Sequence, residues 1–484
     1  MRVLEHLEPK AVFSYFEDLC GIPHGSGNTR AVSDYCAAFA REHGLEYRQD
    51  GMGNVIIVKP AAPGYESAPA VMLQGHLDMV CEKDAALTGL DMETTPLQLA
   101  VDGDRIYAKG TTLGGDDGIA VAYALAVLAD EGMPHPRIEA VFTVDEEIGM
   151  LGAAAIDLAG LQARYLINLD SEEEGIFLTS CAGGVTASAA LPVSREAAAG
   201  TAVELSIDGL QGGHSGVEID KGRGNANVLM GRLLNRLGRR TAFRLLQLGG
   251  GMKDNAIPLS CRAVVVAEDA QAVSAAAAEY DAILKHEYRA SDPGVTVRAS
   301  VLGGGEAGRA LTEESTRRAV CLLENVPNGI QAMSMEIPGL VETSLNLGIL
   351  RLEEEMMTLS FAVRSSVSSA KDAVVERLES ITAAMGGTLT LTGDYPAWEY
   401  NRDSRLREIM VETFRDQYGR EPEIQAIHAG VECGMLSGKL PGLDCISLGP
   451  DMTGVHTCHE TLSIASVVRT WALLTETLRR MKNA

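Results

Sequence analysis

The stretch AVMLQGHLD, residues 70–78, passes from a short apolar run into a histidine and an aspartate two positions apart. Five residues of this kind bounded by turn formers read as a buried β-strand. The same grammar recurs. Residues 139–144 (EAVFTV) lead into Asp145-Glu146-Glu147, and residues 164–169 (RYLINL) lead into Asp170. Between them, residues 118–131 (GIAVAYALAVLADE) form a mostly apolar helix closed by Gly132, entered through Gly114-Gly115-Asp116-Asp117. Strands alternating with helices imply an α/β sheet covered on both faces. Ligands collect beyond the C-terminal strand ends of such a sheet. One histidine and several carboxylates should therefore share a crevice.

Working outward, helical periodicity covers residues 9–20 and 29–43, and NVIIV at 54–58 is a further strand. The style changes near Val185. Strands at 185–192, 202–208, 242–248, 257–267, 295–302 and 357–363 mix with helices at 225–237, 270–286 and 370–384, which suggests an α+β insertion. From Asp394 the α/β style returns, with helices at 403–417 and 464–481 and strands at 423–428 and 444–448. The expected organisation is one α/β domain from residues 1–185 and 394–484. An α+β lid domain occupies residues 186–393.

Composition narrows the class. The 484 residues carry 41 Lys and Arg against 66 Asp and Glu, a formal charge of −25. That argues against nucleic acid, which needs a basic footprint, and against a polybasic membrane-surface protein. The longest uncharged stretch, residues 175–194, is broken by Gly183-Gly184 and Pro192 and is no membrane helix. No export signal is legible at the N-terminus. Nine cysteines, an odd number without a C-x-x-C pair, fit reduced thiols in the cytoplasm.

Mixed histidine and carboxylate ligands suit zinc or a similar divalent ion. In His76-x-Asp78 the imidazole can bind metal through one nitrogen while the carboxylate takes the other N–H. Glu146 and Glu147 are adjacent. One can bind metal while the other acts as general base on a metal-bound water.

The ordered set QGHLDMV (74–80), GTTLGGDDG (110–118), FTVDEEIGMLGA (142–153), INLDSEEEG (167–175) and GGHSG (212–216) resembles the two-zinc family of dipeptidases, aminoacylases and carboxypeptidases. Within it the likeness is greatest to the aminoacyl-histidine dipeptidases and spans essentially the whole chain, which implies an α/β, zinc-peptidase-like catalytic domain with a central mixed sheet and an inserted α+β lid. LVETSLNLG (340–348) and AIHAGVECGML (426–436) add to it. The resemblance implies that His76 and Asp170 bind one metal, that Asp116 bridges two, and that Glu147 binds the second. It implies a cis peptide between Asp116 and Asp117, Asp78 orienting His76, and Glu146 as general base for a metal-bridged hydroxide. The last ligand aligns with His456. The family's His-Ser-Pro-Asp/Glu-Glu reads His456-Thr457-Cys458-His459-Glu460 here, which leaves His459 and Cys458 as competitors.

The same resemblance assigns the lid residues to substrate. His214 would stabilise the oxyanion, and Arg364 would grip the C-terminal carboxylate with its planar fork. Asn255 and His428 are candidate pocket residues. The implied activity is hydrolysis of short peptides, Xaa-His dipeptides among them, with two divalent ions, zinc first and manganese or cobalt as substitutes. A carboxypeptidase or N-acyl amino acid amidohydrolase is the alternative, and a metal-binding scaffold the non-enzymatic one. The family leaves open whether the lid forms a homodimer.

Overall fold

The computed structural model describes residues 2–484, which divide into two compact units. Among the described residues the first comprises 2–180, 400–426 and 431–484; the second comprises 181–399 and 427–430.

Residue pattern explains the sheet of the first unit. Val55–Lys59, Ala70–His76, Ile138–Thr143 and Ala163–Asn168 are almost continuously buried, as strands covered on both faces must be. The eight strands run in the order Glu46–Gln49, Val55–Lys59, Ile138–Thr143, Ala70–His76, Ala163–Asn168, Asp444–Ser447, Ile176–Cys181 and Glu423–Ile427. The four from Ile138–Thr143 to Asp444–Ser447 are mutually parallel. Antiparallel neighbours flank them, so the sheet is mixed. Register sets His76 opposite Thr143 and Gln74 opposite Asn168. The residues that follow each strand therefore emerge at one edge.

The helix Gly115–Ala129 is buried nearly all round, as its unbroken apolar sequence requires. Its side chains join Phe13, Phe16, Phe142 and Leu474 in one core. Each such side chain stabilises the fold by about 1.5–3 kcal/mol when fully buried.

The second unit has a nine-stranded antiparallel sheet and the helices Ala226–Gly238, Ala270–Glu287, Glu313–Asn325 and Ser368–Ala384, with its own apolar core. Several details differ from the sequence reading, which contains neither the helix Glu313–Asn325 nor the strand Val341–Leu352. The strand expected at 257–267 is interrupted because Pro258 offers no N–H to a ladder. Ala256–Ile257 pairs instead with Gly213–His214, while Cys261–Ala267 joins the large sheet. The strand expected at 295–302 runs on to Leu311. The unit boundaries fall at 180/181 and 399/400, and residues 427–430 leave the first unit altogether. Their cause is local bonding: the Ala182 N–H donates to the carbonyls of Ile427 and Ala429, and His428 bonds to Ser344.

Candidate metal centre and substrate residues

The crevice begins at the end of Ala70–His76. The next strand, Ile138–Thr143, delivers Glu146 and Glu147 through Asp145, a non-glycine residue held at φ +56°. Ala163–Asn168 delivers Asp170. Asp116 and Asp117 open the buried helix, and the peptide between them is cis. His456 arrives from the loop before the last helix with φ +62°. Left-handed backbone at a histidine is uncommon and is held in place only where its surroundings demand it.

Asp116 stands at the centre. Its Oδ1 lies 3.0 Å from His76 Nε2, and its Oδ2 lies 3.2 Å from His456 Nε2. His76 Nε2 is also 3.6 Å from Asp170, and His456 Nε2 is 2.8 Å from Glu147. Two ligand groups result, His76–Asp116–Asp170 and Asp116–Glu147–His456, which share one aspartate. A third grouping joins His76 with Glu146 and Glu147. His459 turns instead toward Cys458.

Charge shows what the cluster wants. Burial works to raise the Asp116 carboxyl, yet its hydrogen bonds to His456 and His76 hold it well below the usual range. Hydrogen bonds to Asp116 and Glu147 push His456 up to about 10. Burial opposes protonation of His76, but Asp116, Asp170 and Asp78 outweigh it and raise that imidazole too. Burial pushes Asp170 up to about 6. The crowded carboxylates draw positive charge to these two histidines. Such a donor set of two imidazoles and three carboxylates fits a pair of divalent ions, which would displace those protons.

Glu146 has a different environment. Burial pushes its carboxyl up to about 9, against the pull of His76, with Asp170, Glu432 and Glu147 adding to the rise. A carboxyl that favours its proton beside a ligand cluster has the character of an acid–base group.

The supporting residues are mostly ones the sequence reading did not single out. Asp78 is a partial exception with a changed role. The nearer partner of His76 Nδ1 is the Asp78 main-chain carbonyl at 2.9 Å, while the carboxylate Oδ1 lies 3.5 Å away. That carboxylate accepts from the amides of Glu146 at 3.0 Å and Glu147 at 3.3 Å, and from the Ser26 hydroxyl at 2.8 Å. It fixes the turn that carries both glutamates. Asp117 Oδ2 accepts the His76 N–H at 3.1 Å. Residue 75 must be glycine for this contact, because a Cβ there would sit 2.6 Å from the same oxygen. Behind the strand ends, buried Glu432 accepts from Gln74 and Thr143, and Gln74 accepts from Asn168. This network ties together the three strands that deliver the ligands.

Glu460 anchors the turn before the buried helix. Its carboxylate accepts the N–H groups of Leu113, Gly114 and Gly115 at 2.7, 3.2 and 2.8 Å. Glu460→Ala leaves these buried amides unpaired. It should cost about 2–4 kcal/mol and weaken metal binding with it. Urea unfolding of the two proteins measures the cost, and unchanged stability would refute the anchoring role.

The second unit gathers His214, Arg364 and His428. His214 Nδ1 accepts from the amides of Gly216 at 3.2 Å and Val217 at 3.3 Å, so its neutral form carries the proton on Nε2, ready to donate. Burial and the nearby Arg364 charge lower its pKa and keep it neutral. Gly216 lies between the two histidines; a Cβ there would be 2.6 Å from the His428 carbonyl and 3.1 Å from His214 Nδ1. Arg364 Nη1 donates to Tyr395 at 3.0 Å. Its Nε and the Nδ1 of His428 are buried with no hydrogen-bond partner among the described residues. Asn255 is exposed, and its carbonyl accepts the Ser215 N–H.

Burial, with Arg364 and His214, pushes His428 down to about 4 from an ordinary 6.5. The fold thus favours neutral His428. Its contribution is complete above pH 6.5 and is lost as pH falls toward 4, by about 3 kcal/mol. Urea unfolding at pH 7 and pH 4 should show a larger acid loss in wild type than in His428→Gln, by about that amount. Equal losses would refute the assignment.

Comparison with known proteins follows the geometry. A family model described as peptidase family M20/M25/M40 matches residues 72–480. The chain is 38% identical over 485 residues to the cytosol non-specific dipeptidase of Escherichia coli (strain K12), covering 99% of each protein. The crystal structure of aminoacylhistidine dipeptidase from Vibrio alginolyticus matches with a TM-score of 0.90 at 36% identity, covering 98% of each chain. A tripeptidase from Staphylococcus aureus shares the fold, with a TM-score of 0.56 at 15% identity and coverage of 99% and 100%.

Proposed function

The chain belongs to peptidase family M20/M25/M40, and from that premise we propose that it is a metal-dependent dipeptidase acting on short peptides, Xaa-His dipeptides among them. The observation that carries the reading is the pair of ligand groups that share Asp116, with the Glu146 carboxyl beside them. The names and near-complete coverage of the Escherichia coli and Vibrio relatives support the substrate class.

His76, Asp116 and Asp170 would hold one ion, and Asp116, Glu147 and His456 the other. Zinc suits this donor set, and manganese or cobalt can use the same ligands. When bound, two such ions polarise a scissile carbonyl and make a water acidic near neutral pH. With divalent ions bound beside it, the raised Glu146 carboxyl would be drawn back to the carboxylate, which takes the proton of the attacking water and returns it to the leaving amine. Asp78 holds that glutamate in place through its main-chain N–H. In the second unit, His214 donates from Nε2 to the developing oxyanion, and Arg364 grips the substrate's carboxylate, with Asn255 and His428 completing the set. A cytoplasmic location belongs to the same proposal, the Escherichia coli relative being named a cytosol enzyme. No described helix is long and apolar enough to cross a membrane.

A substrate panel tests the reading. Release of histidine from Xaa-His dipeptides is expected, with N-acetyl amino acids and longer peptides cleaved at least about 100-fold less efficiently, because binding energy lost from a misfit substrate appears in kcat/KM. Preferential hydrolysis of the acylated amino acids would make the protein an amidohydrolase instead.

A further inference from the structure

A cleft of about 500 Å³ opens in the first unit beside the metal cluster, with the ligand Glu147 in its wall. That volume lies in the range of sites for small molecules. The cleft is built and fixed rather than incidental. One wall is the loop of residues 25–28, which packs so closely that a Cβ on Gly25 would lie 2.5 Å from Cys81 Sγ. Ser26 donates to Asp78 at 2.8 Å and the Gly27 N–H donates to Asp145 at 2.7 Å. Asn28 Nδ2 donates to the Glu93 carbonyl at 2.9 Å. The loop is thus pinned to the residues that flank His76 and Glu147, and the cleft keeps a constant position against the ligands.

The lining is apolar at Met79, Val80 and Ile148, and its one carboxylate not committed to the metal pair is Glu93. It contains no lysine, arginine or histidine. The Cys81 thiol senses that field: burial, Glu93 and Glu82 all push it up. A dipeptide has two ends of opposite charge. Its carboxyl-terminal residue carries an anion, which these walls repel. Its amino-terminal residue carries an ammonium, which they attract.

We propose that this cleft receives the amino-terminal residue of the dipeptide, accepting large aliphatic and cationic side chains and rejecting acidic ones. The proposal rests on the dipeptidase reading. Size imposes little selection in a cleft of this volume, so charge is the discriminating property. Glu93 is exposed in the wall, is not a member of either ligand group, and acts as a specificity residue.

The test is a set of kcat/KM ratios for Lys-His, Leu-His, Gly-His and Glu-His, with zinc supplied. Ratios within one preparation cancel differences in the amount of active protein. Wild type should prefer Lys-His and Leu-His over Glu-His by about tenfold or more. Glu93→Lys should shrink the Lys-His to Glu-His ratio by at least about fivefold. Ile148→Trp, at a residue 56% exposed, should lower Leu-His relative to Gly-His by about tenfold by filling the cleft. Ratios that stay at wild-type values in both variants overturn the assignment and leave the dipeptidase reading intact. Failure of wild type to cleave any of the four overturns the dipeptidase reading and this proposal with it.

Discussion

Glu146→Gln should lower kcat by about 10³- to 10⁴-fold while the protein still binds two ions per chain. Glutamine keeps the shape of the side chain, and the main chain stays fixed by the Asp78 carboxylate, which accepts the residue 146 N–H at 3.0 Å. What disappears is a carboxyl able to take and return a proton. The grouping of Glu146 with His76 and Glu147 supplies the rival outcome. If Glu146 were a ligand, the amide would bind metal poorly and the ion count would fall along with activity. Elemental analysis of the variant beside single-turnover kinetics separates the two. A variant with two ions and undiminished kcat would remove Glu146 from the reaction.

Asp116→Asn should have an effect at least as large, through the metals rather than the proton. Asp116 is the one residue common to both bridged groups, with one oxygen facing His76 and the other His456. Losing its charge also loses the restraint that holds these histidines together. Mutations of outer partners already cost about 10- to 100-fold in metal affinity. Removing the shared ligand should exceed that, with fewer than one ion retained per chain after dialysis and hydrolysis below detection. Retention of both ions would show that the two groups bind independently.

Much of this site was legible in the sequence, for a physical reason. Chemistry in an open α/β sheet sits where strands end, so His76, Glu146, Glu147 and Asp170 are marked by the apolar runs directly before them. Asp116 is marked by the glycines that open a buried helix. The residues that hold these in place carry no such mark. Glu432 and Glu460 bond to partners more than 280 positions away in the chain, and in an acidic sequence a lone glutamate reads as solvated surface. Gly75 looks like a loosened strand end until the Asp117 carboxylate is seen against it. Alignment with the family motif favours His456 over His459, and the structure turns His456, with its left-handed backbone, toward Asp116 and Glu147 and His459 toward Cys458. Residues 427–430 lie within α/β-style sequence, yet their hydrogen bonds to Ala182 and Ser344 carry them into the second unit. The division of the Cys261–Ala267 and Ala256–Ile257 strands was in principle readable from Pro258.

The account stands most directly on metal dependence. Metal-free protein should be titrated with Zn²⁺ while hydrolysis of a Leu-His dipeptide is followed. Activity should be absent at the start, rise until two equivalents are bound per chain, and vanish again with excess chelator. Full hydrolysis by the metal-free protein, or activity complete at one equivalent, would contradict a reaction built on paired ions that share Asp116.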